Sequence, residues 1–506
     1  LRRTKIVATL GPATDSETVI EELIRAGADV VRLNFSHGTH EEQKRRARLV
    51  REISERVGRV VGVLVDLQGP KIRIDRFVDD CVELKKGDHF VLDAALAADA
   101  GTRERVGIAY KDLPKDVKPG NTLILDDGRM VLRVQEVSNT EIHCEVMVSG
   151  PLSNKKGINL MGGGLSAPAL TDKDREDIKV AAEIEADYLA VSFPKSPEDI
   201  IEARELLQAA GGHAGIVAKI ERAEALRVID EIIDVSDAIM VARGDLGVEV
   251  GDAELPAIQK DLIKRTRAKD CVVITATQMM ESMINNPVPS RAEVFDVANA
   301  VHDGTDAVML SGETAAGKFP VLVVETMGRI CESAEQHPLA RTSDHRVDKT
   351  FSRVDEAIAM ATMYAANHLN VDAIAALTES GSTVLWMSRI SSGIPVYAMT
   401  RHEVTRRKVT LYRGVYPTGI DFDNIGPYNI SSAVARILSE KGIVEEGDRI
   451  IITRGDYLGE EEGGTNAMKI VNIGNVQYQT ECRCLTTGLW NKFVNNVFDK
   501  ENRLWH

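Results

Sequence analysis

Eight short β-rich runs alternate with amphipathic helical runs, and the alternation is interrupted once, between residues 71 and 167, by a stretch with little helical periodicity. These two observations predict a closed (β/α)8 TIM barrel with a β-domain inserted after its third strand, and a return of helix/strand alternation beyond residue 345 predicts a C-terminal α/β domain. The barrel segments, 1–70 and 168–340, together approach the roughly 250 residues typical of that fold.

The first unit is TKIVATLG, then TDSETVIEELIRAGA with helical spacing behind a Thr/Asp cap, then DVVRLNFSH. EEQKRRARLVREISERVG supplies the next helix and RVVGVLVD the third strand. After the insertion come DREDIKVAAEIEA and DYLAVSF, PEDIIEARELLQAAG and AGIVAKI, and AEALRVIDEIIDVS and DAIMVA. LPAIQKDLIKRTRAKD and CVVITAT, RAEVFDVANAVHDGT and DAVMLS, and a helix near PVLVVETMGRICESAEQ complete the set. The insertion, 71–167, reads as short β runs with Gly/Asp turns: VELKKGDHFVLD, RVGIAY, TLILDDGRMVLRVQEV and EIHCEVMV. The third domain, 345–472, carries DEAIAMATMYAANHLN, VDAIAALTES, GIPVYAMT, AVARILSEKG and DRIIITRGD. The tail, 473–506, changes composition abruptly, holds two of the three tryptophans, and receives no role.

A formal charge of −15 over 506 residues, with 4% aromatics, argues against nucleic acid as a partner. No apolar run approaches the roughly 18 residues that span a bilayer, and LRRTKIVATLGPATD has no signal-peptide core, so a cytoplasmic enzyme with no membrane partner is expected. The six cysteines, Cys81, Cys144, Cys271, Cys331, Cys482 and Cys484, show no CxxC pair and no zinc-like His spacing, which suits reduced structural thiols.

Active sites of this barrel form at the carboxyl ends of the strands, so polar residues there carry a functional expectation. The second strand ends in Arg32, Asn34, Ser36 and His37, the third in Asp66, and the fourth in Ser192. The fifth ends in Lys219 and Glu221, the sixth in Arg243 and Asp245, the seventh in Thr277 and Gln278, and the eighth in Ser311 and Glu313. Lys219 and Glu221, two apart on a strand, share a face, and a structural ion pair explains them as well as catalysis does. Asp245, one strand over, tilts the reading, because two carboxylates make an oxygen-ligand site for Mg2+ that leaves positions for substrate oxygens. The turn Ala242–Gly247 offers backbone N–H groups to a carboxylate or phosphate, or serves chain reversal alone. Arg32 suits a phosphoryl group or a plain rim ion pair. His37 and His40 lack further nearby ligands, which favours ordinary surface residues over a metal site.

Two nucleotide motifs fail on context. Gly312-Glu-Thr-Ala-Ala-Gly317-Lys318 fits G-x-x-x-x-G-K, but Phe319 and Pro320 stand where a Ser or Thr belongs. Gly162-Gly-Gly164-Leu-Ser-Ala167 fits G-x-G-x-x-A, but no clear strand precedes it and Pro168 follows at once.

The runs RLNFSHG, DLQGPKIR, KKGINL, KIE, MVARGDLG, ATQMMESM, PSRAEVFDVANAV and MLSGETAAGKFP closely resemble the pyruvate kinase family, over residues 1 to about 472. The resemblance implies a β-barrel lid in the insertion, an allosteric C-terminal domain, a homotetramer, and phosphoryl transfer from phosphoenolpyruvate to ADP, giving pyruvate and ATP. It implies Lys219 as the ammonium at the transferring phosphoryl group and developing enolate, with Glu221 and Asp245 holding Mg2+ (or Mn2+). It further implies Arg32 on the phosphoryl group, the Gly244–Asp245 backbone and Thr277 on the substrate carboxylate, Ser192 close by, and Arg73, His37 and Lys156 on the nucleotide side.

The K+ shell that the resemblance implies, Asn34, Ser36, Asp66 and the Leu67 carbonyl, is present in the sequence. Members that need K+ usually carry Glu where this chain has Lys71, with Thr and Lys in place of Leu67 and Gln68. A tethered ammonium supplies a fixed positive charge, so K+-independent activity is expected. In the C-terminal domain, Thr378-Glu-Ser380-Gly381-Ser382-Thr383 precedes a helix and resembles an effector phosphate loop, though a plain capped helix fits equally. Glu379 adds a negative charge there, so a sugar monophosphate or AMP is expected as effector in preference to fructose 1,6-bisphosphate. The competing readings are another Mg2+-dependent phosphoenolpyruvate or pyruvate barrel enzyme, an aldolase or lyase, and a non-catalytic regulatory homologue.

Overall fold

The computed structural model describes residues 1–340, 350–421, 425, 429–455 and 464–474. Most of the segment 473–506 and residues 345–349, 422–424, 426–428 and 456–463 of the expected third domain therefore lie outside the described residues.

Eight parallel strands close into a barrel in sequence order: Lys5–Leu10, Val30–Asn34, Gly62–Asp66, Tyr188–Val191, Gly215–Ile220, Ala238–Ala242, Val272–Ala276 and Ala307–Leu310. Nearly every strand residue is buried, because a parallel sheet wrapped by helices has no wet face. Their side chains divide by the two-residue period. Ile6, Val31, Val63 and Leu189 pack outward under the helices, while Val7, Val30, Leu64, Tyr188, Met240 and Met309 fill the interior. The interior cluster runs on into Met363, Met387 and Ile451, so the C-terminal domain seals the amino-terminal end of the barrel. That leaves the carboxyl ends of the strands as the open mouth. The surrounding helices start where the sequence offers capping boxes, as at Thr39 with Glu42, Thr171 with Asp174, and Ser290 with Glu293.

Between the third and fourth strands lies a β-domain with its own core around Phe90, Leu92, Leu123, Leu132 and Ile142. It has a six-stranded sheet and a two-stranded ribbon. Two short strands, Gly150–Ser153 and Ile158–Leu160, belong to it that the sequence pattern does not reveal, since neither is long enough to show alternation. The C-terminal domain holds a five-stranded sheet, parallel except for its last strand, Ala467–Asn472. No helix among the described residues is long and apolar enough to cross a membrane.

One expectation is corrected. The stretch from Ala242 to Gly247, read as a turn, opens an eight-residue helix, Arg243–Val250. Gly244 and Gly247 each cost about 1 kcal/mol of helix propensity, but the helix is held from outside. Arg243 is buried with its guanidinium on the Ala276 and Thr277 carbonyls, Leu246 is fully buried, and the Gly244 N–H donates to Thr277 Oγ1 at 2.8 Å.

Candidate active site

Asp66 ends the third strand and is fully buried, yet it remains a carboxylate because two cations reach it. Arg32 Nε donates to Oδ2 at 2.6 Å and Lys219 Nζ lies 3.1 Å from Oδ1. Burial alone raises its pKa; Lys219 and Arg32 outweigh that and hold it below the usual carboxylate range. Lys219 Nζ also donates to Ser192 Oγ at 2.7 Å and lies 3.1 Å from Glu221 Oε1. For this lysine too burial opposes the charge, but Asp66 and Glu221 prevail and raise its pKa above the ordinary value. Lys219 is therefore a permanent ammonium at the mouth, held from the third, fourth and fifth strands.

Glu221 is buried, with Oε2 accepting the Phe193 N–H at 2.9 Å. Its pKa is raised, first by burial and then, against the opposing effect of Lys219, by Asp245 and Asp66. Asp245, at the start of the helix Arg243–Val250, takes the Lys71 ammonium at 3.1 Å. Among the described residues no three Asp, Glu, His or Cys side chains converge into a closed metal cage. Two neighbouring carboxylates on rigid elements do fit a Mg2+ that fills its remaining positions with water and substrate oxygens.

Thr277 sits at φ 67°, a left-handed conformation that β-branched residues avoid. Its hydroxyl donates to the Ala276 carbonyl at 2.7 Å and accepts from Gly244, which joins the seventh strand end to the helix start beside Asp245. The Gly-Pro turn after Asp66 has an equally direct cause. Gly69 has φ +65°, and a Cβ there would lie 2.7 Å from Ser192 Cβ, so only glycine lets the chain pass into the lid.

Not every anticipated residue joins this cluster. Arg73 donates to the Lys155 carbonyl at 3.0 Å and Lys156 pairs with Asp126 at 2.7 Å, so both stand on the lid, while His37 is exposed at the rim. In the expected K+ shell, Asn34 Oδ1 accepts the Ser36 N–H at 3.1 Å and the Leu67 carbonyl accepts Ser192 Oγ at 2.7 Å. The contacts of Lys71 are with Asp245 and, at 3.9 Å, the lid's Asp127, and not with that shell. In the C-terminal loop, Thr378 Oγ1 accepts the Gly381 N–H, Ser380 and Ser382 share a hydrogen bond, and Thr383 bonds Thr465. The Glu379 carboxylate meets the His402 ring and lies 3.6 Å from the Arg401 guanidinium.

Arg243 is expected at the mouth from its strand-end position alone, whereas Asp126, Asp127, Glu224 and Glu249 carry no motif that marks them. The Asp-Asp-Gly hairpin turn was the available signal for the lid pair. Glu249 is buried and its carboxyl is pushed up to about 7, chiefly by that burial.

Residues 1–324 match the family model described as pyruvate kinase, barrel domain, and residues 356–471 match pyruvate kinase, alpha/beta domain. The chain is 56% identical to pyruvate kinase II of Salmonella typhimurium over 477 residues, 94% of this chain and 99% of that one. It is 54% identical to the pyruvate kinase of Haemophilus influenzae, covering 90% of this chain and 96% of the relative. The pyruvate kinase of Buchnera aphidicola subsp. Baizongia pistaciae is 53% identical over 93% of this chain and 99% of its own. The closed barrel and the C-terminal α/β sheet agree with the two matched domain descriptions, and the chain belongs to the pyruvate kinase family.

Proposed function

We propose that this chain is a phosphotransferase that moves the phosphoryl group of phosphoenolpyruvate to ADP, giving pyruvate and ATP in glycolysis. The observation that carries the reading is the buried Lys219 ammonium, held among Asp66, Glu221 and Ser192 with Asp245 one strand away. Phosphoryl transfer asks little covalent work of a protein, and charge placed in advance where the reaction will need it is the main contribution. Lys219 balances the charge that moves onto the enolate oxygen as the P–O bond breaks. Arg32 has Nε on Asp66 and Nη1 on Thr9, which aims the rest of its guanidinium at a phosphoryl oxygen. The substrate carboxylate would meet the Asp245 N–H and the Gly244 N–H at the helix start, the latter exchanging its bond to Thr277 Oγ1 for the substrate, with the Thr277 hydroxyl beside it and water there to protonate the enolate. Glu221 and Asp245 would hold Mg2+ or Mn2+, which when bound neutralises phosphoryl and carboxylate oxygens.

The insertion, 71–167, acts as a lid over the mouth between the barrel segments 1–70 and 168–340, with Arg73 and Lys156 of the lid and His37 of the barrel rim on the ADP side. Lid closure keeps water from the phosphoryl donor. Residues 345–472 form the effector domain, with Thr378, Ser380, Gly381, Ser382 and Thr383 around the phosphate of a sugar monophosphate or AMP. Preference for a monophosphate rests on direct comparison with fructose 1,6-bisphosphate. A cytoplasmic homotetramer that works without K+ completes the proposal.

Pyruvate formation coupled to lactate dehydrogenase tests it. Pyruvate that appears only with phosphoenolpyruvate, ADP and Mg2+ together is the expected result. Pyruvate without ADP would indicate an aldolase or lyase, and none at all a non-catalytic homologue.

A further inference from the structure

The triple glycine that fits no cofactor motif is where the chain leaves the lid and re-enters the barrel. Gly162, Gly163 and Gly164 follow the last lid strand, Ile158–Leu160, and have φ of 81°, 77° and 108°. Three consecutive left-handed residues are affordable only to glycine and make a natural pivot. The pivot is nevertheless tied down. Gly162 N–H donates to the Glu249 carbonyl at 3.1 Å, Gly163 N–H to Leu160 at 2.9 Å, and Gly164 N–H to Glu224 Oε1. A Cβ at residue 163 would collide with the Glu224 carboxylate, so that side chain fills the space glycine leaves. Glu224 Oε2 is buried without a hydrogen-bond partner, which costs free energy and marks the contact as one the lid can give up.

The anchors stand close in sequence to the two carboxylates assigned to the metal. Glu224 is three residues beyond Glu221, at the start of the short 3-10 helix Glu224–Val228 that follows the fifth strand. Glu249 is four residues beyond Asp245, one turn along the same helix. Glu249 Oε2 accepts the Ala223 N–H at 2.8 Å, which joins loop and helix into one support.

We propose that Glu224 is a positioning residue that latches the return hinge of the lid, so that occupancy of Glu221 and Asp245 and the stance of the lid over the nucleotide are coupled through one short support. The proposal rests on the assignment of Glu221 and Asp245 to the metal and of 71–167 as the lid.

Hydrogen exchange of the 161–167 segment in the substrate-free full-length protein, read with steady-state kinetics, tests it. Glu224→Ala is expected to speed exchange at residues 162–164 at least tenfold and to raise KM for ADP several-fold, with KM for phosphoenolpyruvate within twofold. Glu224→Gln retains an oxygen for the Gly164 N–H and is expected to restore both readouts most of the way. Should Glu224→Ala not fold, Gly163→Ala displaces the carboxylate from the lid side and is expected to give the same pattern. Unchanged exchange overturns the latch. Faster exchange with both KM values within twofold of wild type, or with both raised alike, overturns the positioning role. Because exchange is measured without substrate, failure of the latch is distinguishable from failure of the proposed reaction.

Discussion

The Lys71 ammonium lies 3.1 Å from Oδ1 and 3.4 Å from Oδ2 of Asp245. Lys219 stands in the same relation to Glu221, so each carboxylate assigned to the metal already holds a cation. Counting Arg32 and Asp66, three cations face three carboxylates, and the substrate-free mouth is close to neutral. A divalent ion entering alone must displace Lys71, and its affinity suffers by that competition. Lys71→Met is expected to bind Mn2+ several-fold more tightly in the absence of phosphoenolpyruvate, measured by the electron paramagnetic resonance of free Mn2+. Its turnover is expected to become K+-stimulated, while the native rate changes less than twofold when K+ is added. Equal Mn2+ affinities would remove the competition argument.

Arg243 holds Thr277 in its left-handed conformation through the Thr277 carbonyl, with Nη2 at 2.7 Å and Nε at 3.2 Å, and is itself oriented by Asp296 at 2.7 Å. Arg243→Lys keeps the charge but cannot reproduce the planar fork. Relaxation of Thr277 would move its hydroxyl and the Gly244 N–H together. A fall in kcat of roughly 10- to 100-fold is expected, as for misplacement of a positioning group, with a thermal midpoint only a few degrees lower. A kcat within twofold of wild type would mean that Thr277 needs no such support.

The barrel was legible because eight strands and their helices each carry their own periodicity, and Asp66, Lys219, Glu221 and Asp245 because strand ends of this fold face one mouth. The helix Arg243–Val250 was not legible. Two glycines lower its local propensity, and the contacts that hold it come from Thr277 and Asp296, distant in sequence. The direction in which Lys71 reaches was hidden for a related reason. A sequence shows the charge after the Gly-Pro turn, but its partner, Asp245, is 174 residues away and is brought to it only by the closing of the barrel.

Lys5 gives the seal between barrel and C-terminal domain a pH dependence. Its ammonium is fully buried, donates to the Val415 carbonyl at 2.5 Å and lies 4.3 Å from the centre of the Tyr416 ring. Burial lowers its pKa from 10.5 to about 8, Asp29 only partly opposing. Below about pH 8 folded and unfolded chains both carry the proton, and the folded chain bears the burial cost. Between about 8 and 10.5 the unfolded chain binds more protons, so this group's contribution to stability rises with pH by an amount on the order of 3 kcal/mol. Lys5→Met is therefore expected to be at least as stable as wild type at pH 7 and to lose that advantage by pH 10, read as the difference in thermal midpoints. A difference that stays constant across that range would show that Lys5 does not titrate there.

The same seal contains a buried ion pair. Arg389, at the end of the helix Ser382–Ser388, meets Asp306, just before the eighth barrel strand, and both side chains are essentially inaccessible. Arg389 Nη1 donates to Asp306 Oδ2 at 3.0 Å and to the Cys271 carbonyl at 2.7 Å, and Nη2 reaches Oδ1. Asp306 also accepts the Val273 N–H at 2.9 Å and the Arg413 N–H at 3.2 Å. The net worth of such a pair against well-packed apolar residues is small, because both charges were taken out of water to make it. Breaking it is a different matter. Arg389→Met strands the Asp306 carboxylate in the interface, at a cost of about 3–5 kcal/mol, whereas Arg389→Met with Asp306→Asn removes the stranded charge and leaves an oxygen for one of the backbone N–H groups. The single variant is expected to melt lower than the double variant and to show faster hydrogen exchange at the barrel's amino-terminal end. If the double variant melts as low as the single one, or lower, Arg389 contributes packing at this seam and not charge compensation.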